Sequence, residues 1–229
     1  MRPILFSLGS LNFYSYGALT ALGFVAAAYL LRYLAKRKRL YTSKHRDYFL
    51  IDTILISLIS GVLLARLAYF FLYRDASLIG ELSFWRNLVL GGFVFYPGLL
   101  GGVTAFWIWL SRHAEPLPNW FDCLIPAIFC GLTFNEFGAY LNDGYEYHLV
   151  GSLLNLVFGL TTVQTALIEK KNGRAFWLGL VFLFVSQFFL AFWRSELYQI
   201  GALSLGQIFS LIGIVYASYY FFKHLIYAK

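Results

Sequence analysis

The sequence predicts an all-α fold: a polytopic helical membrane protein with about seven transmembrane helices, its N-terminus outside and its C-terminus cytoplasmic. Three observations predict it. Apolar residues make up 60% of the 229-residue chain and charged residues only 13%, where a soluble domain carries about a quarter charged. The apolar runs approach the roughly 20 residues that cross a bilayer. Runs such as "TALGFVAAAYLL" and "LGLVFLFVSQFFLAFW" do not alternate apolar and polar residues, so they exclude a transmembrane β-barrel. Helices remain, because a chain in lipid must satisfy its own backbone hydrogen bonds.

The spans follow in order at about 14–33, 50–72, 92–110, 122–141, 149–168, 176–193 and 204–222. The first leads into a basic loop without a small-x-small cleavage pattern, which suits a retained span better than a cleaved signal peptide. The second, "GVLLARLAYFF", carries Arg66. The third opens on "GGFVFYPGLLGG", with five glycines and Pro97. Such a stretch suits a kinked, broken or re-entrant helix, or one whose glycines let a neighbour approach closely. The fourth holds Cys123 and Cys130, seven apart on one helix; that spacing gives no disulfide framework and no zinc site, and both suit packing. Connections are short and there is no repeat or soluble segment, so 1–229 is one transmembrane domain.

Lys and Arg set the orientation. Seven lie in the first loop, "RYLAKRKRLYTSKHR"; Arg112, Lys170, Lys171, Arg174, Lys223 and Lys229 share its side. Arg2, Arg74, Arg86 and Arg194 lie on the other, and Arg66 within a span. The positive-inside bias makes the first side cytoplasmic. The net charge of +7 then faces anionic inner-leaflet lipid, without nucleic acid.

Against this apolar background, "GLTFNEFGAYLNDGYEYH" places Asn135, Glu136, Asn142, Asp143, Glu146 and His148 within eighteen residues. Arg66, Gln187, Arg194, Gln207 and Tyr16 fall at a similar depth under this topology. A charge inside a membrane is costly and finds a partner or a watery cavity. Glu136 has two candidate cations, Arg66 and Arg194. An ion pair that locks helices and a polar substrate cavity opening outward both fit. Asn135, Asn142 and His148 share a face if the helix continues, as do Glu136 and Asp143. There is no phosphate loop, HExxH motif or metal-ligand spacing, and no nucleophile elbow; no cofactor or metal is expected.

The order of segments resembles the prolipoprotein diacylglyceryl transferase family. Tyr16-Gly17 is similar to its YG in the first span, "GVLLARLAYFFLY" to G-x-R-[LI]-x-Y, and "GGFVFYPGLLGG" to GGxxFHGGLxG. "DCLIPAIFCGLTFNEFGAYLND" resembles D-x-x-x-P…GRxGNFxNGE without gaps, and "SLGQIFSL" resembles S-x-GQ-x-x-S. The resemblance implies a seven-span enzyme of the bacterial inner membrane. It implies transfer of diacylglyceryl from phosphatidylglycerol to the lipobox cysteine of a preprolipoprotein signal peptide. The departures are specific. Tyr96 stands at the family's histidine, Glu136 and Gln187 at arginines, Ala139 at an asparagine and Ala191 at a glutamate; Asn142 and Arg194 match, and His148 remains from HPxQLYE. The resemblance therefore implies Tyr16, Arg66, Asn142, Gln187 and Arg194 as substrate-binding residues, with Glu136, Tyr96 and His148 left for catalysis. A glutamate at 136 can serve as base while the arginines hold phosphate. A non-catalytic member that binds phospholipid or a membrane partner is the alternative, and a small transporter a third.

Overall fold

A computed structural model describes residues 4–8, 11–40, 45–73, 94–168, 173–193, 199–200 and 203–226. Its helices are α1 (Ser15–Arg37), α2 (His45–Tyr73), α3 (Phe95–Arg112), α4 (Leu117–Asp143), α5 (Glu146–Ile168), α6 (Arg174–Leu190) and α7 (Leu205–Ile226). Five contain segments long and apolar enough to cross a membrane: α1, α2, α4, α5 and α7. The other two, α3 and α6, are shorter, at 18 and 17 residues. Two antiparallel pairs of short strands were not expected from the sequence: β1 (Ile4–Leu8) with β2 (Leu11–Tyr14), and β3 (Gln199–Ile200) with β4 (Leu203–Ser204). Each pair runs directly into a helix, α1 and α7.

The chain forms two compact units, Met1–Leu40 with Pro118–Lys229, and Tyr41–Leu117. In the second, α2 and α3 pack through glycines. A methyl group at Gly101 would lie 2.9 Å from both the Leu64 Cβ and the Ser60 carbonyl oxygen; one at Gly98 would lie 2.9 Å from Ala65 Cβ. Small residues let two helix backbones approach without an aqueous driving force. Over its described residues the third span is a continuous helix from Phe95 to Arg112. Pro97 falls in its first turn, where a missing N–H costs no helical hydrogen bond. Gly91 and Gly92 lie outside the described residues.

In the first unit, α1 crosses α4 with Gly23 against Gly131 and Phe134, and with the Tyr16 backbone against Gly138. Thr20 Oγ1 donates to Asn135 Oδ1 at 3.2 Å across that seam. Asn135 is thereby accounted for by helix packing. α5 lies on α4 through Gly159 against Phe129, and on α6 through Gly151 against Leu190. Trp120, Phe129, Leu34, Ile125, Leu183 and Leu190 are fully buried.

A buried carboxylate ties three helices together. Asp122 on α4, 1% exposed, accepts from Lys38 Nζ at 2.9 Å, from the Gly173 N–H at 2.8 Å and from the Phe176 N–H at 3.0 Å. Lys38 is the C-cap of α1 and Gly173 the N-cap of α6. An anion at a helix N-terminus satisfies orphan N–H groups and meets the positive end of the dipole. α6 thus draws its cap from another helix.

Candidate functional site

The polar stretch of the sequence builds one corner, where α4 turns into α5. α4 stops at Asp143 because Gly144 adopts φ 78°, a left-handed conformation that glycine reaches without steric cost. Its N–H caps the Tyr140 carbonyl at 2.8 Å. Asp143 Oδ1 accepts from the Tyr145 N–H at 3.1 Å, a local turn of the kind aspartate favours. α5 then starts at Glu146. The expectation of one face shared by Asn135, Asn142 and His148 required α4 to continue, and Gly144 ends it. His148 instead folds back along the last two turns of α4.

Two of its neighbours there are acidic. Glu136 and Asp143 are seven residues apart, two helical turns, and so share a side. His148 Nδ1 lies 2.6 Å from Glu136 Oε2, and Nε2 lies 3.2 Å from Asp143 Oδ2. Glu136 is buried and Asp143 is one-third exposed. An ionised carboxylate can only accept, so against ionised Glu136 the contact requires the tautomer with Nδ1–H as donor. Gly151, one turn beyond His148, lies beside the carboxylate: a methyl group there would make ordinary contact with Glu136 Cδ and Oε2 at 3.4 Å and a tighter one with Leu190 Cδ1 at 3.2 Å. The Tyr147 ring lies 4.3 Å from the imidazole, centroid to centroid.

The side chain shown against Glu136 is that of His148, which the sequence did not suggest as its partner. Arg194 lies outside the described residues. Arg66 belongs to the Tyr41–Leu117 unit, as does Tyr96. Those two share one end of the α2–α3 pair: Ala65, beside Arg66, accepts from the Val94 N–H at 3.2 Å, and Tyr96 follows two residues later. Tyr16, Asn142 and Gln187 belong to the same unit as Glu136. Tyr16 and Asn142 are exposed and Gln187 is buried. Among the described residues no group of three His, Cys, Asp or Glu side chains is arranged to hold a metal.

Gln207 has a different role from that suggested by its depth. Its Oε1 accepts from the Ser204 N–H at 2.8 Å, and Ser204 Oγ accepts from the Gln207 N–H at 3.2 Å. This is a reciprocal capping box on α7, visible in the sequence as S-x-x-Q. Asp143 was also missed as a partner for His148. Its seven-residue spacing from Glu136 was visible, but the chain reversal at Gly144 was needed to bring the imidazole between them.

Comparison with known proteins bears on this corner and on the whole chain. The family model for prolipoprotein diacylglyceryl transferase matches residues 3–145. Phosphatidylglycerol–prolipoprotein diacylglyceryl transferase of Clostridium botulinum (strain Langeland) is 25% identical over 253 residues, covering 97% of each chain. The protein of that name from Clostridium tetani is 26% identical, covering 94% of this chain and 81% of the other. The one from Clostridium kluyveri is 27% identical, covering 96% of each. The matched residues run from the first strand through the α4–α5 turn and so include Tyr16, Arg66, Tyr96, Glu136 and Asn142. The chain belongs to the prolipoprotein diacylglyceryl transferase family.

Proposed function

We propose that the chain is a divergent phosphatidylglycerol–prolipoprotein diacylglyceryl transferase of the bacterial cytoplasmic membrane, acting as one domain over 1–229. The observation that carries this reading is the family match over residues 3–145, joined by relatives of that name that align along nearly the whole chain. The acceptor is the lipobox cysteine of a preprolipoprotein signal peptide. Its sulfur attacks the glyceryl carbon, the C–S bond forms, and the C–O bond to phosphate breaks with the electron pair leaving on glycerol phosphate. Cations stabilise that leaving anion; Arg66 and Arg194 supply them through charge-assisted hydrogen bonds. The family resemblance implies Tyr16, Asn142, Tyr96 and Gln187 as further residues in contact with substrate. A base takes the thiol proton, and histidine suits that task near neutral pH. His148, oriented by Glu136, fills the role.

Complementation tests the reading. A strain depleted of its own transferase should regain growth and lipoprotein maturation when it expresses this chain. Arg66→Ala should abolish the rescue. Normal expression without rescue would sink the enzymatic reading.

A second reading is a non-catalytic member that binds phospholipid. The Glu136–His148 pair favours it, because an acidic residue stands where the family resemblance has an arginine. Both readings predict retention of an anionic phospholipid over a zwitterionic one, with the arginines on the phosphate. Native mass spectrometry of the purified chain should show that preference, and Arg66→Ala with Arg194→Ala should erase it. Equal retention of both lipid classes by the unmutated chain would count against any phosphate site.

A further inference from the structure

His148 is held at both ring nitrogens, by partners that differ in burial. Glu136 is buried and meets Nδ1 at 2.6 Å. Asp143 is the last residue of α4, is one-third exposed, and meets Nε2 at the longer distance of 3.2 Å. A short contact to a buried carboxylate fixes a ring and its tautomer. A longer contact to an exposed side chain beside a glycine hinge can be exchanged. Nε2 and the Asp143 carboxylate need one proton between them, because two lone pairs repel.

We propose that His148 is a base seated by Glu136 and covered at rest by Asp143, with Asp143 as a positioning residue and the exit for the proton. This use of the corner rests on the transferase reading given above. When Asp143 turns to solvent carrying the shared proton, it releases that proton to water. The ring remains neutral, with Nδ1–H on Glu136 and a free lone pair on Nε2. The acceptor thiol then gives its proton to Nε2 as the C–S bond forms and the C–O bond breaks. Asp143 returns to the Nε2–H and the resting arrangement is restored. One proton leaves the thiol and one reaches water, and no oxidant or co-reactant is needed. Of the other groups at the corner, Glu146 is exposed and Tyr147 contributes a ring face, while Leu190 of α6 is apolar; none of these replaces Asp143 at Nε2.

The test reads the ring protons by NMR, using the full chain labelled with 15N-histidine in lipid nanodiscs. His148→Phe assigns the signals. The unmutated chain should show a strongly downfield Nδ1–H and a separate, slowly exchanging Nε2–H. Glu136→Gln should remove the downfield Nδ1–H. If that variant does not fold, Glu136→Asp supplies the same readout by drawing the carboxylate back from Nδ1. Asp143→Ala should leave the Nδ1–H in place and bring the Nε2–H into fast exchange with water. In a transfer assay Asp143→Ala should lower kcat by about tenfold, less than the roughly hundredfold or more that a positioned acid or base itself contributes, with KM little changed. An Nε2–H that ignores Asp143→Ala, or an Nδ1–H that ignores both Glu136→Gln and Glu136→Asp, would overturn the proposal. An unmutated chain with the expected ring signals but no transfer activity would instead overturn the transferase reading and leave the seated histidine standing.

Discussion

Glu136 is a buried carboxylate whose partner decides what its loss would do. Against a buried arginine, Glu136→Gln would strand a permanent charge, at about 3–5 kcal/mol. Loss of the His148 contact by itself costs less, because an imidazole can keep a hydrogen bond to the new amide. The expected loss is about 1–3 kcal/mol, the range for a buried polar group deprived of its best partner. Thermal unfolding in detergent should show that Glu136→Gln is destabilising. In a double-mutant cycle with His148→Phe, the two losses should fall short of additive. Strict additivity would mean that the 2.6 Å contact carries no energy. The sequence marked both residues as unusual but did not pair them. Pairing depended on where Gly144 ended the helix, and a glycine near a helix end allows that stop without requiring it.

Helices in this protein are held by devices of a few residues each, and those devices were unequally visible beforehand. The apolar runs located the seven helices of the described residues, because lipid demands a certain length of apolar helix. They left the third open between a broken helix and a close-packed one. The second applies across Phe95–Arg112, where Gly98, Gly101 and Gly102 receive the α2 backbone. Apolar periodicity does not tell a glycine that bends a helix from one that seats a neighbour. Asp122 was read as part of a motif, and its task was not legible because its partners stand 84, 51 and 54 residues away. Pro126, four residues on, has no N–H to offer the Asp122 carbonyl, so this turn of α4 is already irregular. The carboxylate makes three contacts and Lys38 makes one of them. Asp122→Ala should therefore cost more, about 3–5 kcal/mol for a broken buried pair. Lys38→Met should cost about 1–3 kcal/mol, since two backbone N–H groups still hold the anion. Thermal unfolding of the two variants orders them. A Lys38→Met loss equal to that of Asp122→Ala would show that the cap on α6 contributes nothing.

Along the whole chain, charge placement separates the connections into a basic set and a less basic one. Thirteen of the 18 basic residues fall in the first, third and fifth connections and at the C-terminus. Aromatic residues sit beside several of them. Arg37 lies 5.3 Å from the Tyr33 ring centroid and Lys223 lies 5.8 Å from that of Tyr220, a pattern of anchors at a membrane–water boundary. Tyr220 in turn stacks on Trp177 at the start of α6. The start of α6, the end of α7 and the end of α1 thus carry the same chemistry and belong at one interface. The anionic inner leaflet attracts such segments by about 1 kcal/mol per basic residue near the surface, so the cytoplasm is the side they should face. Reporter fusions after Lys38 and after Lys171 should then give cytoplasmic signals, and a fusion at the N-terminus a periplasmic one. Neutralising Lys36, Arg37 and Arg39 together should weaken that orientation, producing a mixed population at the Lys38 fusion. Lys38 itself is left in place because it holds Asp122. A periplasmic signal at Lys38 in the unmutated chain would invert the topology and would put the α4–α5 corner on the cytoplasmic side, out of reach of an acceptor displayed on the outer face.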